Sequence, residues 1–186
     1  MHSFQIHTPD TAPEPSRALL REVGENWGFI PNLHGALAAS PAALKAYEAL
    51  FALAEETDFT PVERQVAFLT VSTFHGCEYC VAAHTFLARQ AELPEAELAA
   101  LRGGRPLEDA RLEALRRFVL ALVHERGKLE AREVEAFMHA GYETRHVLDL
   151  LVIIAAKTVS NYANHLVATP KETFMADPAL AWSARK

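Results

Sequence analysis

Two helix starts of one kind, Ser40-Pro41 and Thr60-Pro61-Val62-Glu63, constrain the fold of this chain more than any other feature. In each, a hydroxyl that can accept from an orphan backbone N–H precedes a proline at the first helical position, and Glu63 completes a capping box with Thr60. Ser40 launches the stripe Leu44, Tyr47, Leu50, Phe51 and Ala54, and Thr60 launches Val62, Val66, Leu69 and Thr73. On the second helix Gln65 shares that apolar face, while Glu63 lies about 200° around from Gln65. Gln65 is therefore expected inside and Glu63 outside.

The remaining punctuation is helical too. Leu19, Leu20, Val23 and Trp27 recur at helical spacing before Gly28, and Asn32 is expected to cap a short helix over 33–39. Pro94 opens another short helix, Gly127 ends one carrying Leu112, Leu115, Phe118, Val119 and Leu122, and Gly141 ends one carrying Val134, Phe137 and Met138. Gly103-Gly104-Arg105-Pro106 is the clearest loop and the best hinge candidate. Residues 143–167 read as one long central helix. Its stripe Val147, Leu150, Leu151, Ile154 continues to Thr158, Asn161, Tyr162 and His165, polar groups that need partners once buried. Thr169-Pro170-Lys171-Glu172 repeats the capping-box pattern ahead of a short terminal helix. No strand, hairpin or repeat pattern is present, so the expectation is an all-α single domain over 14–186. A polar arm over 1–13 precedes it and orders only against something else.

Composition narrows the function classes. With 186 residues, 50% hydrophobic and 23% charged, the chain can bury one substantial core. A formal charge of −6 and pI near 5.8, with no basic cluster, disfavour nucleic acid as a partner. The first residues lack the regions of a signal peptide, and the apolar run 150–156 is far short of the roughly 20 residues that span a bilayer. A cytoplasmic protein with no membrane partner is expected.

Cys77 and Cys80 are the only cysteines, and His84 follows them in Gly76-Cys77-Glu78-Tyr79-Cys80-Val81-Ala82-Ala83-His84. On a helix they lie at i, i+3 and i+7, so one face carries both sulfurs and the imidazole. Starting that helix at the pair puts the thiols in its first turn, where the unpaired N–H groups and the dipole favour thiolate. Cysteines three apart close too small a loop to staple a fold, so a disulfide here is reactive rather than structural.

These residues carry a resemblance. The run from Thr60 to Ser72, followed by Gly76 to His84, resembles the AhpD-like and carboxymuconolactone decarboxylase superfamily, in an alkylhydroperoxidase-type bacterial branch. Gly28 to His34, Ser40-Pro41 through Tyr47, and Lys157 to His165 extend the likeness to about residues 28–175. The resemblance implies an all-helical AhpD-like bundle, a homotrimer or a hexamer built from trimers, and reduction of hydroperoxides with no cofactor. It implies Cys80 as the attacking (peroxidatic) cysteine, Cys77 as the resolving one, and His84 as a proton relay. It also implies a dithiol reductant, a lipoyl protein or a thioredoxin-like protein. Relatives place a glutamate twelve residues before the first cysteine, where this chain has Gln65, which cannot exchange a proton at neutral pH. Glu78 and His75 are the neighbours to ask about, and Tyr79 either donates to a thiolate or packs.

Two rivals stay open. Cys77, Cys80 and His84 are acceptable zinc ligands, with His75, His34 or His165 as a fourth, although one helix supplies all three and no second cysteine pair exists. A lactone decarboxylase that does not use the cysteines, or a non-catalytic oligomer, is the other. Asn161, Asn164 and His165 are read as satisfied polar groups at a helix end, and His34 is ambiguous. His2, His7, His124, His139 and His146 are read as surface residues, Trp27 and Trp182 as packing anchors, and the acidic run 92–97 as a solvated face.

Overall fold

Helix α4 (Pro61–Phe74) is the hub of the structure, a computed structural model that describes residues 4–184. The expected surface position of His2, and the outer ends of the 1–13 arm and the 14–186 domain, lie outside the described residues. Chain order before the hub is α1 (Glu14–Trp27), α2 (Asn32–Leu37) and α3 (Pro41–Glu55). After it come α5 (Glu78–Gln90), α6 (Glu95–Arg102), α7 (Ala110–His124), α8 (Ala131–His139) and α9 (Thr144–Val167). Two 3-10 turns, Thr173–Ala176 and Pro178–Leu180, follow. The described residues hold no strand, and the fold is all-α and a single domain.

The two helix starts form as read. Ser40 accepts from the Ala43 N–H, and Thr60 and Glu63 exchange the two bonds of a capping box. Every residue from Val66 to Ser72 is buried, all of them apolar except Thr70 and Ser72, so α4 is covered on nearly all sides and α5, α6, α7 and α9 all pack on it. The α3 helix packs on α9. One core gathers around α4, α7, α8 and the first half of α9; a second joins α1, α2 and α3 to the start of α5 and the C-terminal turns.

Several expectations are corrected. Glu63 is not outward: only 5% exposed, it accepts from Tyr142 Oη and Arg111 Nε, each at 3.0 Å, because α7 and the turn before α9 close over that side of α4. The buried stripe of α9 runs His146, Leu150, Ile153, Lys157, Ser160/Asn161 and Asn164, so Leu151, Tyr162 and His165 point outward. A helix apolar on most sides does not reveal from periodicity which arc meets the hub. His146 is buried against Phe59, and its Nδ1 accepts the Glu143 N–H as part of the α9 cap. Glu97 is buried as well, accepting from the backbone N–H groups of Glu108 and Asp109 and so pinning the loop after α6. Trp27 ends α1 past the edge of the core and is 46% exposed, whereas Trp182 packs as expected and donates to Arg102 O.

Asn32 is the first residue of α2 rather than its cap, and its N–H bonds the Glu172 carboxylate. Thr169 caps nothing, since the chain there enters a 3-10 turn at Thr173. The arm orders against its own chain: His7 N–H donates to Gly35 O, and Ile6 lies where a Cβ on residue 35 would meet it at 2.7 Å. Only glycine permits that approach.

Candidate functional site

The turn between α4 and α5 sets the thiols. Gly76 takes φ 68°, a left-handed conformation natural to glycine, which lets the chain reverse after α4 and bring the Cys77 N–H to Ser72 O at 3.0 Å. Cys77 is then the N-cap residue of α5 and Cys80 sits in its first turn, both reduced and buried. Asn164 on α9 donates its Nδ2 to both sulfurs, at 3.2 Å to Cys80 and 3.8 Å to Cys77.

The two thiols are electrostatically unequal. Burial pushes Cys80 up, but the Cys77 thiol's hydrogen bond, the Lys157 ammonium, Asn164 and Ser160 outweigh it and hold Cys80 well below the usual thiol range. Cys77 is pushed up, first by donating to Cys80 and then by burial and the Cys80 charge. Both effects favour the proton on Cys77 over Cys80.

His84 lies one helical turn beyond Cys80, stacked on Phe68 with centroids 4.8 Å apart. Its Nδ1 is 2.9 Å from Gln65 Oε1 and its Nε2 is 2.8 Å from Lys157 Nζ. A glutamine carbonyl only accepts and a lysine ammonium only donates, so the imidazole carries its proton on Nδ1 and offers a bare Nε2 to Lys157. Burial first, and Lys157 second, push His84 well below its ordinary value and keep it neutral. The expected inward face of Gln65 is thus the face that meets His84. Lys157 itself is 1% exposed and is flanked by Phe51 and Phe68.

The other named residues divide. Tyr79 donates to Glu172 Oε1 at 2.6 Å instead of to a sulfur, while Glu78 faces solvent and pairs with Lys171. His75 Nδ1 bonds Asn161 Oδ1 at 3.0 Å, and His34 bonds Glu48. With both His84 nitrogens engaged, Cys77, Cys80 and His84 are not arranged as a metal triad, and no metal-holding group of three occurs among the described residues. Sequence reasoning missed Lys157 as a site residue and read Asn164 as a satisfied helix-end group. The available signal was position: Lys157 follows Leu150 by seven and precedes Asn164 by seven on one helix face.

The all-helical bundle thus sets a reduced dithiol at a helix start, with an imidazole one turn behind it and a buried lysine beyond. Residues 38–119, from the end of α2 into α7 and including both cysteines, match the carboxymuconolactone decarboxylase family. The fold is that of the AhpD core. A peroxidase-related protein from Ralstonia eutropha JMP134 superposes with a TM-score of 0.82 at 20% identity, over 98% of this chain and 100% of that one. Another from Silicibacter sp. TM1040 gives 0.76 at 21% identity, over 90% of each. The debrominase Bmp8, in complex with 2,3,4-tribromopyrrole, gives 0.74 at 17% identity, over 96% of this chain and 98% of that one. No curated protein matches the sequence. Helix α9, which carries Lys157 and Asn164, lies outside the matched segment.

Proposed function

We propose that this chain is a thiol-dependent hydroperoxide reductase that cycles Cys77 and Cys80 between dithiol and disulfide. Relatives of this fold include a debrominase as well as peroxidase-related proteins, so the assignment rests on the site. The observation that carries it is the geometry of the pair: two reduced, buried thiols at the start of one helix, with Asn164 Nδ2 reaching both sulfurs and surroundings that favour the thiolate on Cys80 over Cys77.

The chemistry follows. The Cys80 thiolate attacks the terminal peroxide oxygen, the O–O bond breaks, and its electron pair leaves on the alkoxide, which takes a proton and departs as alcohol or water. The Lys157 ammonium is a buried cation able to supply that proton, and it recovers one when the reduced Cys80 thiol ionises again at the end of the cycle; neutral His84, its bare Nε2 toward Lys157, accepts from the ammonium and holds it in place. Cys77 then attacks the Cys80 sulfenic acid, releasing water and forming the disulfide. A dithiol, on a lipoyl or thioredoxin-like protein, reduces it by exchange and leaves oxidised. Gln65 serves in this scheme as a fixed acceptor that sets the His84 tautomer.

A decarboxylase acting on a carboxylate-bearing lactone fits less well. The apolar cavity beside His84 has no lysine or arginine in its wall to hold carboxylates. No helix of the described residues is long and apolar enough to cross a membrane.

The test is a thiol count. The protein should lose both thiols to one equivalent of hydroperoxide and regain them with a dithiol. Cys80→Ser should not consume peroxide, and Cys77→Ser should react once and stop at sulfenic or higher acid. Turnover by Cys80→Ser at the wild-type rate, or retention of both thiols, would overturn the proposal.

A further inference from the structure

A cavity of about 580 Å³ opens beside the thiol site between α1, α3, α5 and the C-terminal turns. Trp27, Phe29, Phe51, Phe86, Phe174 and Met175 line it. Three of these rings stand open to solvent around one mouth: Trp27 is 46% exposed, Phe29 41% and Phe86 41%. Large apolar side chains gathered on a concave surface mark a ligand site when they surround a few placed polar groups.

The inner end supplies those groups. His84 and Tyr79 of α5 and Tyr47 of α3 all face the cavity. Tyr47 also packs in the buried cluster that holds Cys77 and Cys80, and its hydroxyl has no hydrogen-bond partner among the described residues. The His34 Nδ1, on the same wall, is buried and unpartnered.

Charge decides the ligand class. Neither lysine nor arginine lines the cavity, and Glu172, its one carboxylate, already accepts from Asn32 N–H and Tyr79 Oη. A carboxylate or phosphate would enter with nothing to neutralise it. Stacked and edge-on rings suit a flat apolar group.

We infer that this cavity binds the uncharged aromatic body of an organic hydroperoxide, so that its peroxide oxygens reach Cys80 past Tyr47 and His84. The peroxide half rests on the function proposed above; the aromatic binding half does not. Cys80 is only 2% exposed, so a substrate gains from an anchor that holds it at this entrance.

The test separates the two halves. In a Cys80→Ser, Trp182→Phe protein, Trp27 is the sole tryptophan and reports on the cavity without turnover. Titration with 2-phenyl-2-propanol should give saturable quenching, benzoate should bind at least about tenfold more weakly, and Phe86→Ser should weaken the alcohol by about tenfold. In the active protein, cumene hydroperoxide should be preferred over hydrogen peroxide, and Phe86→Ser should lower kcat/KM for the first only.

No saturable signal, equal binding of benzoate, or a parallel loss for both peroxides overturns the inference and leaves the peroxidase reading standing. Trp27 emission that changes with protein concentration alone assigns the mouth to a second copy and also overturns it. Alcohol binding without reaction of either peroxide supports the cavity and sinks the peroxidase.

Discussion

Lys157 Nζ lies 2.8 Å from His84 Nε2, and it has no carboxylate partner among the described residues. A buried ammonium left without a counter-ion is costly, so the group that balances it bears on chemistry. The Cys80 sulfur is that group: Lys157 is among the interactions that hold its thiol low.

Lys157→Met should raise the Cys80 pKa, because it removes a positive charge that favours the thiolate. Alkylation of Cys80 near pH 7 should slow by about tenfold or more. Methionine keeps most of the volume, so the fold should persist. Rate against pH for iodoacetamide in a Cys77→Ser background measures this directly, and an unmoved profile removes Lys157 from the thiol site.

Gln65→Glu should change both rate and pH profile. A carboxylate 2.9 Å from His84 Nδ1 favours the imidazolium, while Lys157 on the other nitrogen opposes it. Partial burial of position 65 raises the new carboxyl's own pKa toward the working range, where it can exchange protons. The His84 pKa should rise, as read by NMR of its ring protons, and a new limb should enter the activity profile. Two superimposed pH–rate curves would take position 65 out of the relay.

Acid should weaken the fold sooner than surface charge alone predicts. His84 and His75 are both held below the ordinary imidazole value of 6.5, mainly by burial. Below pH 6.5 the unfolded chain binds protons that the folded chain refuses. Their contribution is therefore complete above 6.5 and is lost as pH falls toward the folded values. For His84 the loss approaches, at most, about 1.4 kcal/mol per pH unit. Urea midpoints at pH 7.5 and 5.0 should differ in that direction, and His84→Gln should shrink the gap; equal midpoints in the wild type contradict the burial argument.

The outer face of α9 should be covered by another copy of the chain. Leu148, Leu151, Tyr162 and Leu166, each at least 50% exposed, fall within about 60° of arc between positions 148 and 166 of α9. A stripe of that length on a surface helix is an association face. Leu151→Glu should shift the protein toward monomer in light scattering. A wild-type mass near 20.5 kDa at micromolar concentration refutes the assembly.

Local chemistry made much of the fold legible. Ser40-Pro41, Thr60-Pro61-Val62-Glu63 and the helix-ending glycines act within one turn, so their effects can be read without knowing what packs where. The same holds for Cys77, Cys80 and His84, which one helix brings together, and for the inward face of Gln65.

Contacts between helices were decided only by the tertiary structure. Glu63 turned inward because Arg111 and Tyr142, far along the chain, closed over it. Tyr79 went to Glu172 because the C-terminal turns pack beside α5. Lys157 and Asn164 reached His84 and the sulfurs because α4 selected which arc of the many-sided apolar helix α9 would be buried. Capping and spacing act through bonds a few residues long, whereas the charge that tunes Cys80 arrives from a helix more than seventy residues away, which no local pattern encodes.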